Sequence, residues 1–192
     1  MRLITALAVA ATLAASYACG GSSTGPSGST GTMTLMLKDS PYTDAKSLLV
    51  TFSEVSAHRA DAADSAWTKL PFADAATLRT CDLKKLQTAQ DILGTGALAT
   101  GHYTMIRLTV SSAALYFDNA AAGNACAASI AAPVGRSGSV DIPSGQVKLN
   151  REFDITSATT TMLVDFDGDK SMHDTGNGRF MMSPVIGIVS VQ

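Results

Sequence analysis

Charged residues are scarce in this chain, at 16% of its 192 residues, against roughly a quarter in an ordinary soluble domain. Its 14 basic and 16 acidic residues leave a net charge of −2. Binding to nucleic acid or to an anionic membrane surface normally needs a basic patch, so we expect no nucleic-acid partner. Hydrophobic residues reach 46%, which excludes disorder for the body of the chain.

Catalytic motifs are missing as well. The sequence has no GxSxG nucleophile elbow, no phosphate-binding loop and no dinucleotide fingerprint. Its three histidines, His58, His102 and His173, show no HxH or HExxH spacing, and there is no CxxC pair. We therefore predict that the protein is not an enzyme and holds no resident cofactor. A hydrolase of unrecognised type is the lesser alternative.

A single long apolar run stands out, from Leu3 to Ala15, directly after Arg2. It is too short to span a bilayer, which takes about 20 residues, but it is typical of a signal peptide. The residues Ser16-Tyr17-Ala18-Cys19 follow. They suit cleavage by ordinary signal peptidase, and they also resemble the bacterial lipoprotein box, in which Cys19 is lipidated. We predict a signal peptide over residues 1–18.

A low-complexity segment follows the cysteine. Residues 20–31 are only Gly, Ser, Thr and one Pro, the composition of a flexible tether. As a random coil it reaches roughly 20 Å. A tether directly after a cysteine favours a lipid-anchored protein over a simply secreted one. The predicted organisation is an anchor and tether over 19–31 and a folded domain over 32–192. The predicted location is the cell envelope, at the outer membrane or cell surface.

The remaining cysteines form an even pair. If Cys19 carries lipid, Cys81 and Cys126 are left. In an exported protein such a pair more often forms a disulfide than two free thiols. Closing that loop stabilises the fold by roughly 4 kcal/mol in the chain-entropy model. Two buried thiols are the alternative.

Short runs of alternating apolar and polar residues dominate the body of the chain, which indicates half-buried strands. The predicted strands cover 33–38, 48–57, 67–70, 78–83, 101–110, 139–142, 147–155, 160–167 and 180–191. One brief helix is predicted from Leu83 to Leu93, ending at Gly94-Thr95-Gly96. This pattern predicts an all-β, two-sheet β-sandwich, Greek-key or prealbumin-like. We expect the last three runs to be central strands of one sheet.

Three positions predict irregular strands. The apolar phase switches at Ser53–Glu54, which indicates a β-bulge. Arg151 falls on the apolar phase, so it needs a carboxylate if it is buried, or else the strand bulges and Arg151 reaches solvent. Pro184 indicates an edge or a bulge in the last strand.

An acidic group is the sharpest chemical feature. Alternation places Asp165 and Asp167 on one strand face, with Asp169 in the following turn. Converging carboxylates suit calcium, although the glycine spacing of an EF-hand is not met. Structural pairing with Lys170 or Arg151 is the alternative. A calcium titration of the melting temperature separates the two.

Several segments carry a family resemblance, in the same order along the chain. They are 31–35, 39–41, 50–59, 101–108, 148–151, 165–171, 175–180 and 184–186. Together they resemble a bacterial and archaeal exported family known as domain of unknown function 4382, from about residue 31 to 189. The resemblance implies a β-sandwich domain on an envelope lipoprotein. It implies no reaction and no catalytic residues.

The function predicted from these features is a lipid-tethered, non-enzymatic β-sandwich that binds a glycan or another envelope protein. The alternative is a structural or assembly component that pairs through an edge strand. A flat exposed aromatic strip would favour glycan binding, and an unpaired long edge would favour assembly.

Overall fold

The computed structural model describes residues 28–40, 42 and 44–192. The predicted signal peptide, Cys19 and most of the predicted tether lie outside these residues. The described strands are β1 (Thr30–Ser40), β2 (Ser47–Arg59), β3 (Thr68–Leu70), β4 (Arg79–Asp82), β5 (Asp91–Ala99), β6 (Gly101–Tyr116), β7 (Cys126–Ala127), β8 (Ser137–Asp141), β9 (Gln146–Ile155), β10 (Thr159–Asp167), β11 (Met172–Gly176), β12 (Arg179–Met182) and β13 (Ile186–Val191). A 3-10 helix covers Leu83–Gln87, and a short helix α1 covers Gly168–Ser171. None of the described helices has the length and apolar character needed to cross a membrane.

The strands form two sheets. Sheet A has the order β13-β10-β1-β5, with β1 and β10 parallel and the other pairs antiparallel. Sheet B has the order β11-β12-β8-β6-β2-β4-β7, with β9 also beside β6 and β3 also beside β2. The two sheets pack together, and the predicted all-β sandwich is confirmed.

The core lies between the sheets and takes alternate side chains from each strand. Leu35 and Leu37 of β1 and Phe166 of β10 supply it from sheet A, and all three are fully buried. Phe52 and Ile106 supply it from sheet B and are equally buried. The rings of Phe52 and Phe166 meet edge to face at 6.5 Å, so this contact joins the two sheets.

The last third of the chain does not form one sheet, contrary to expectation. Strands β10 and β13 belong to sheet A, whereas β9 and β12 belong to sheet B. Alternation shows which side chains face the core. In a sandwich the core is shared by two facing sheets, so alternation alone does not assign a strand to either of them.

The predicted helix is mostly wrong. Its first turn is a 3-10 helix capped by Asp82, whose side chain accepts a hydrogen bond from Lys84 N. Leu93 lies instead in strand β5, which continues through Gly94 and Gly96. These glycines do not form a turn; they let another segment come close. A Cβ on Gly96 would lie 2.7 Å from Pro71 Cδ.

The predicted irregularities are present. The β2–β6 register shifts between Phe52 and Glu54. In β9, Arg151 and Glu152 lie opposite the single residue Thr104 of β6, so Arg151 turns out of the core phase and is exposed. This is the bulged alternative stated above. Pro184 lies in the break between β12 and β13.

Candidate functional site

Asp165 pairs within sheet A. Its Oδ2 lies 3.0 Å from Lys38 Nζ and accepts a 3.0 Å hydrogen bond from Ser40 Oγ. Lys38 is opposite Asp165 in the parallel β1–β10 pair, so these contacts join neighbouring strands. Arg151, the partner considered from the sequence, lies in the other sheet and makes no ion pair within the described part of the chain.

Asp167 and Asp169 lie around α1. Asp167 is its N-cap and accepts hydrogen bonds from Lys170 N at 3.0 Å and Lys170 Nζ at 2.7 Å. The side-chain bond is the main reason that the pKa of Asp167 is below its usual range. Asp169 is exposed in the first turn. Over residues 28–40, 42 and 44–192, no three His, Cys, Asp or Glu side chains are arranged to hold a metal ion. The geometry is one of structural pairing, and calcium binding stays a prediction.

The three histidines lie on three different strands, and His58 and His102 have separate polar partners. His58 is buried on β2, with Nε2 3.2 Å from Ala63 O. His102 Nδ1 lies 2.8 Å from Asp154 Oδ1, which joins β6 to β9. His173 is exposed on β11.

Asp39 is a buried acid that sequence reasoning missed. It is 4% exposed, and neither carboxyl oxygen has a hydrogen bond of standard geometry among the described residues. Burial raises its pKa to about 8, with a further rise from Asp165 and an opposing effect from the Gly168 amide. The sequence does indicate this burial, because strand alternation places Asp39 on the same face of β1 as Leu35 and Leu37, which face the core.

The outer face of sheet B carries a second cluster, centred on Glu54 and Trp67. The Glu54 carboxylate binds Lys69 Nζ at 2.6 Å and also binds Arg107. The hydrogen bond from Lys69 is the main reason that the pKa of Glu54 falls to about 2. The Arg107 guanidinium lies 4.4 Å from the centroid of the Trp67 ring, and the His58 ring lies 5.0 Å from it. The charged groups and the Trp67 ring of this cluster are therefore already in contact with each other.

One long side of the sandwich is closely tied, and we call it the closed side. It comprises β5, the connection from β3 to β4, and β7. Thr95 N donates to Pro71 O at 2.9 Å, and Phe72 forms a β-bridge with Gly94. These backbone contacts join sheet A to the connection that leads out of sheet B.

Side chains reinforce the closed side. The Arg79 side chain is only 6% exposed and forms 3.1 Å ion pairs with Asp74 and Asp91. Cys81 and Cys126 face each other across β4 and β7 and form a disulfide, so the pairing predicted from the cysteine count is confirmed. Cys126 N also donates to Asp91 Oδ2 at 3.2 Å.

The opposite long side, which we call the open side, is built differently. Among the described strands, β13 ends sheet A and pairs only with β10, while β9 pairs only with β6. A groove of about 350 Å³ runs between the two strands. Its lining residues are Lys148, Leu149, Asn150, Arg151, Ile186 and Ile188. This groove combines unpaired strand edge, apolar surface and positive charge.

Residues 30–184 match the family model described as "Domain of unknown function (DUF4382)". The chain belongs to this family. The resemblance stated from the sequence is thereby confirmed. No curated protein and no solved structure matches the chain.

The matched range of the DUF4382 domain runs from the start of β1 to Pro184, so it includes strands of both sheets. The closed side lies wholly within the match, as does β9, whereas β13 follows it. The open side of this DUF4382 domain was not predictable from the sequence, because which strand edges are left unpaired depends on how the two sheets are assembled.

Proposed function

We propose that this DUF4382 protein is an exported, lipid-anchored binding protein of the cell envelope, with Cys19 as the lipidated residue. Its β-sandwich holds a partner protein and catalyses no reaction. The observation that carries the binding function is the open side, where two adjacent strands offer edges that no described strand pairs with, beside a groove lined by both basic and apolar side chains. Such edges normally pair or are protected.

The disulfide supports export. Disulfides persist in oxidising compartments and are rare in the cytosol. The Cys81–Cys126 bond therefore agrees with the signal-peptide pattern of residues 1–18 and with the lipoprotein-like residues before Cys19. The anchor and the Gly/Ser-rich tether would hold the sandwich away from a membrane with freedom to reach a partner.

A protein partner is favoured over a glycan by the state of Trp67. Sugar rings stack on open aromatic faces, but this ring already has the Arg107 guanidinium and the His58 imidazole against it. Trp67 is the one tryptophan in the chain. Strand pairing needs no aromatic surface, so the open side is the better candidate.

Site-specific photo-crosslinking in intact cells tests the binding function. A photoreactive residue replaces Val189 of β13, which is 50% exposed, or Val134 of the loop before β8, which is 80% exposed. We expect an adduct with an envelope protein from position 189 and none from position 134. Absence of an adduct at 189, or equal adducts at both, contradicts the proposal.

Metabolic labelling tests the anchor. The wild-type protein should incorporate labelled palmitate and fractionate with membranes, and Cys19→Ala should abolish both. An exported wild-type protein that never takes up palmitate is a secreted protein, and the lipid-anchor part of the proposal is then wrong.

A further inference from the structure

We propose that the open side binds an extended, acidic segment of another protein, which adds to β13 as a further strand. This inference rests on the binding function proposed above and names the mode of binding and the chemistry of the partner. Three features of the open side carry it: a free backbone edge, apolar side chains in the groove lining and positive charge that no described carboxylate neutralises.

The backbone edge comes first. Alternate residues of a strand point their N–H and C=O groups to opposite edges, so part of the β13 backbone faces away from β10. Edge strands are normally protected by charged residues or proline, yet Ile186–Val191 contains neither. A register shift where Leu163 and Val164 meet β13 is the protection that the structure does show. The edge is therefore suited to accept a strand.

Three of the residues that line the groove are apolar. Ile186 and Ile188 pack partly against the core and also line the groove, together with Leu149 of β9. Val185 and Val189 are 41% and 50% exposed beside it. An added strand with apolar residues at alternate positions would cover this surface while its backbone pairs with β13.

The charge of the groove selects an acidic partner. Lys148 and Arg151 both line it, and neither makes an ion pair with any described carboxylate. The nearby Arg107 and Lys69 differ, because both are neutralised by Glu54. No described acidic residue lines the groove. Lys148 Nζ lies 5.8 Å from the centroid of the Trp67 ring, a cation–π contact that leaves its charge in place, so both cations can still meet carboxylates of a partner.

A second copy of the chain fits less well. A two-fold joint between β13 strands would bring the same Lys148 and Arg151 of both copies to one interface. Strand β13 itself carries no acidic residue to meet them. Like charges at such a joint oppose pairing, so the occupant we propose is a different protein.

The direct test measures binding of peptides to the full-length protein by fluorescence anisotropy. The probe is a blocked eight-residue peptide in which valine alternates with glutamate, and its control replaces glutamate with lysine. We expect the glutamate peptide to bind about tenfold more tightly, because its carboxylates meet two cations. Raising the salt concentration should reduce that preference.

Charge-reversal variants locate the site. The double variant Lys148→Glu with Arg151→Glu should reverse the preference between the two peptides. The matched control is Lys46→Glu with Arg179→Glu, which makes the same change in net charge at two exposed residues away from the groove. It should leave the preference unchanged. Melting curves of both variants check that the fold is kept.

Backbone-methylated peptides test strand addition. Methylating alternate amide nitrogens blocks the N–H groups of one strand edge and leaves those of the other. Methylation on the edge that faces β13 should abolish binding, and methylation on the opposite edge should leave at least part of it. Equal binding by both peptides overturns strand addition, and so does failure of the unmethylated glutamate peptide to bind.

The outcomes separate this inference from the proposed function. An adduct at Val189 in cells together with no preference for the glutamate peptide refutes the acidic strand but keeps the binding function. An adduct consisting of two copies of this chain, with a concentration-dependent dimer in solution, overturns the proposal of a different partner. A peptide preference that Lys148→Glu with Arg151→Glu leaves unchanged overturns the assignment to the open side.

Discussion

The two long sides of the sandwich differ in the contacts that join the edges of its two sheets. The closed side uses the backbone hydrogen bond that Thr95 N donates to Pro71 O, ion pairs from Arg79 and the Cys81–Cys126 disulfide. The open side brings β9 and β13 together around a groove, with no ion pair or disulfide between them in the described part of the chain. The disulfide and the Arg79 ion pairs thus add stability at the closed side, and the open side has no comparable tie that a partner would have to displace.

The largest effect should follow loss of the disulfide. In the chain-entropy model, a bond between residues 45 apart stabilises the fold by about 4 kcal/mol. Cys81→Ala with Cys126→Ala should lower the free energy of unfolding by about that amount in urea denaturation. Wild-type protein unfolded under reducing conditions should show a similar loss. A loss below about 1 kcal/mol would mean that the disulfide is not the main tie of the closed side.

Replacing Arg79 should lower the free energy of unfolding slightly less than loss of the disulfide does. Its guanidinium is buried, while Asp74 and Asp91 are partly exposed, so Arg79→Met would leave their charges partly solvated. We expect a loss of about 3 kcal/mol, at the low end for a broken buried pair. The matched change on the open side is Lys148→Met, which breaks no ion pair with a described carboxylate and removes only a 5.8 Å cation–π contact with Trp67, so it should lower stability by less than about 1 kcal/mol. Equal losses from both variants would contradict the contrast between the sides.

Asp39 lies on neither the closed side nor the open side. Its effect on the free energy of unfolding should depend on pH. Its pKa of about 8 in the folded protein is above the ordinary value of 3.8, so the fold favours the protonated acid. Its stabilising contribution is therefore complete at low pH and is lost as pH rises towards 8. We expect the free energy of unfolding to fall by about 2 kcal/mol between pH 6 and 8, measured by urea denaturation at each pH.

The variant Asp39→Asn supplies the control for that pH dependence. The amide stays neutral, so the fall in the free energy of unfolding between pH 6 and 8 should be smaller in the variant. The disulfide of the closed side does not titrate and so does not contribute to this fall. Lys84 and Asp167 also lie near Asp39 and influence its charge. A variant with the same pH dependence as the wild type would show that Asp39 is not the group responsible.

Local patterns in the sequence predicted local structure well. The phase switch at Ser53–Glu54 and the misplaced Arg151 both marked bulges, because a single extra residue reverses which face a side chain occupies. The even pair Cys81 and Cys126 pointed to the disulfide, because the number of cysteines and the predicted export limited the choices.

Features that depend on tertiary assembly were missed. Gly94 and Gly96 resembled a turn, but their small size serves the close approach of Pro71, a residue distant in sequence. Asp39 is easily overlooked because it precedes Ser40 and Pro41, residue types common in turns, although its position continues the buried face of β1. The open side had no sequence signal of its own, since Ile186–Val191 looks the same whether one edge or both edges are paired.

The smallest effects should come from a pair of glycines, one on each side. A Cβ on Gly96 would meet Pro71 Cδ at 2.7 Å, whereas a Cβ on Gly187 of β13 would meet no described atom within 4 Å. Gly96→Val should lower the free energy of unfolding by about 2 kcal/mol, because the proline ring must move. Gly187→Val should be neutral or stabilise by up to about 0.5 kcal/mol, since valine suits a strand better than glycine. If Gly187→Val costs as much as Gly96→Val in thermal and urea denaturation, the open side is as tightly packed as the closed side, and there is no room in it for an added strand.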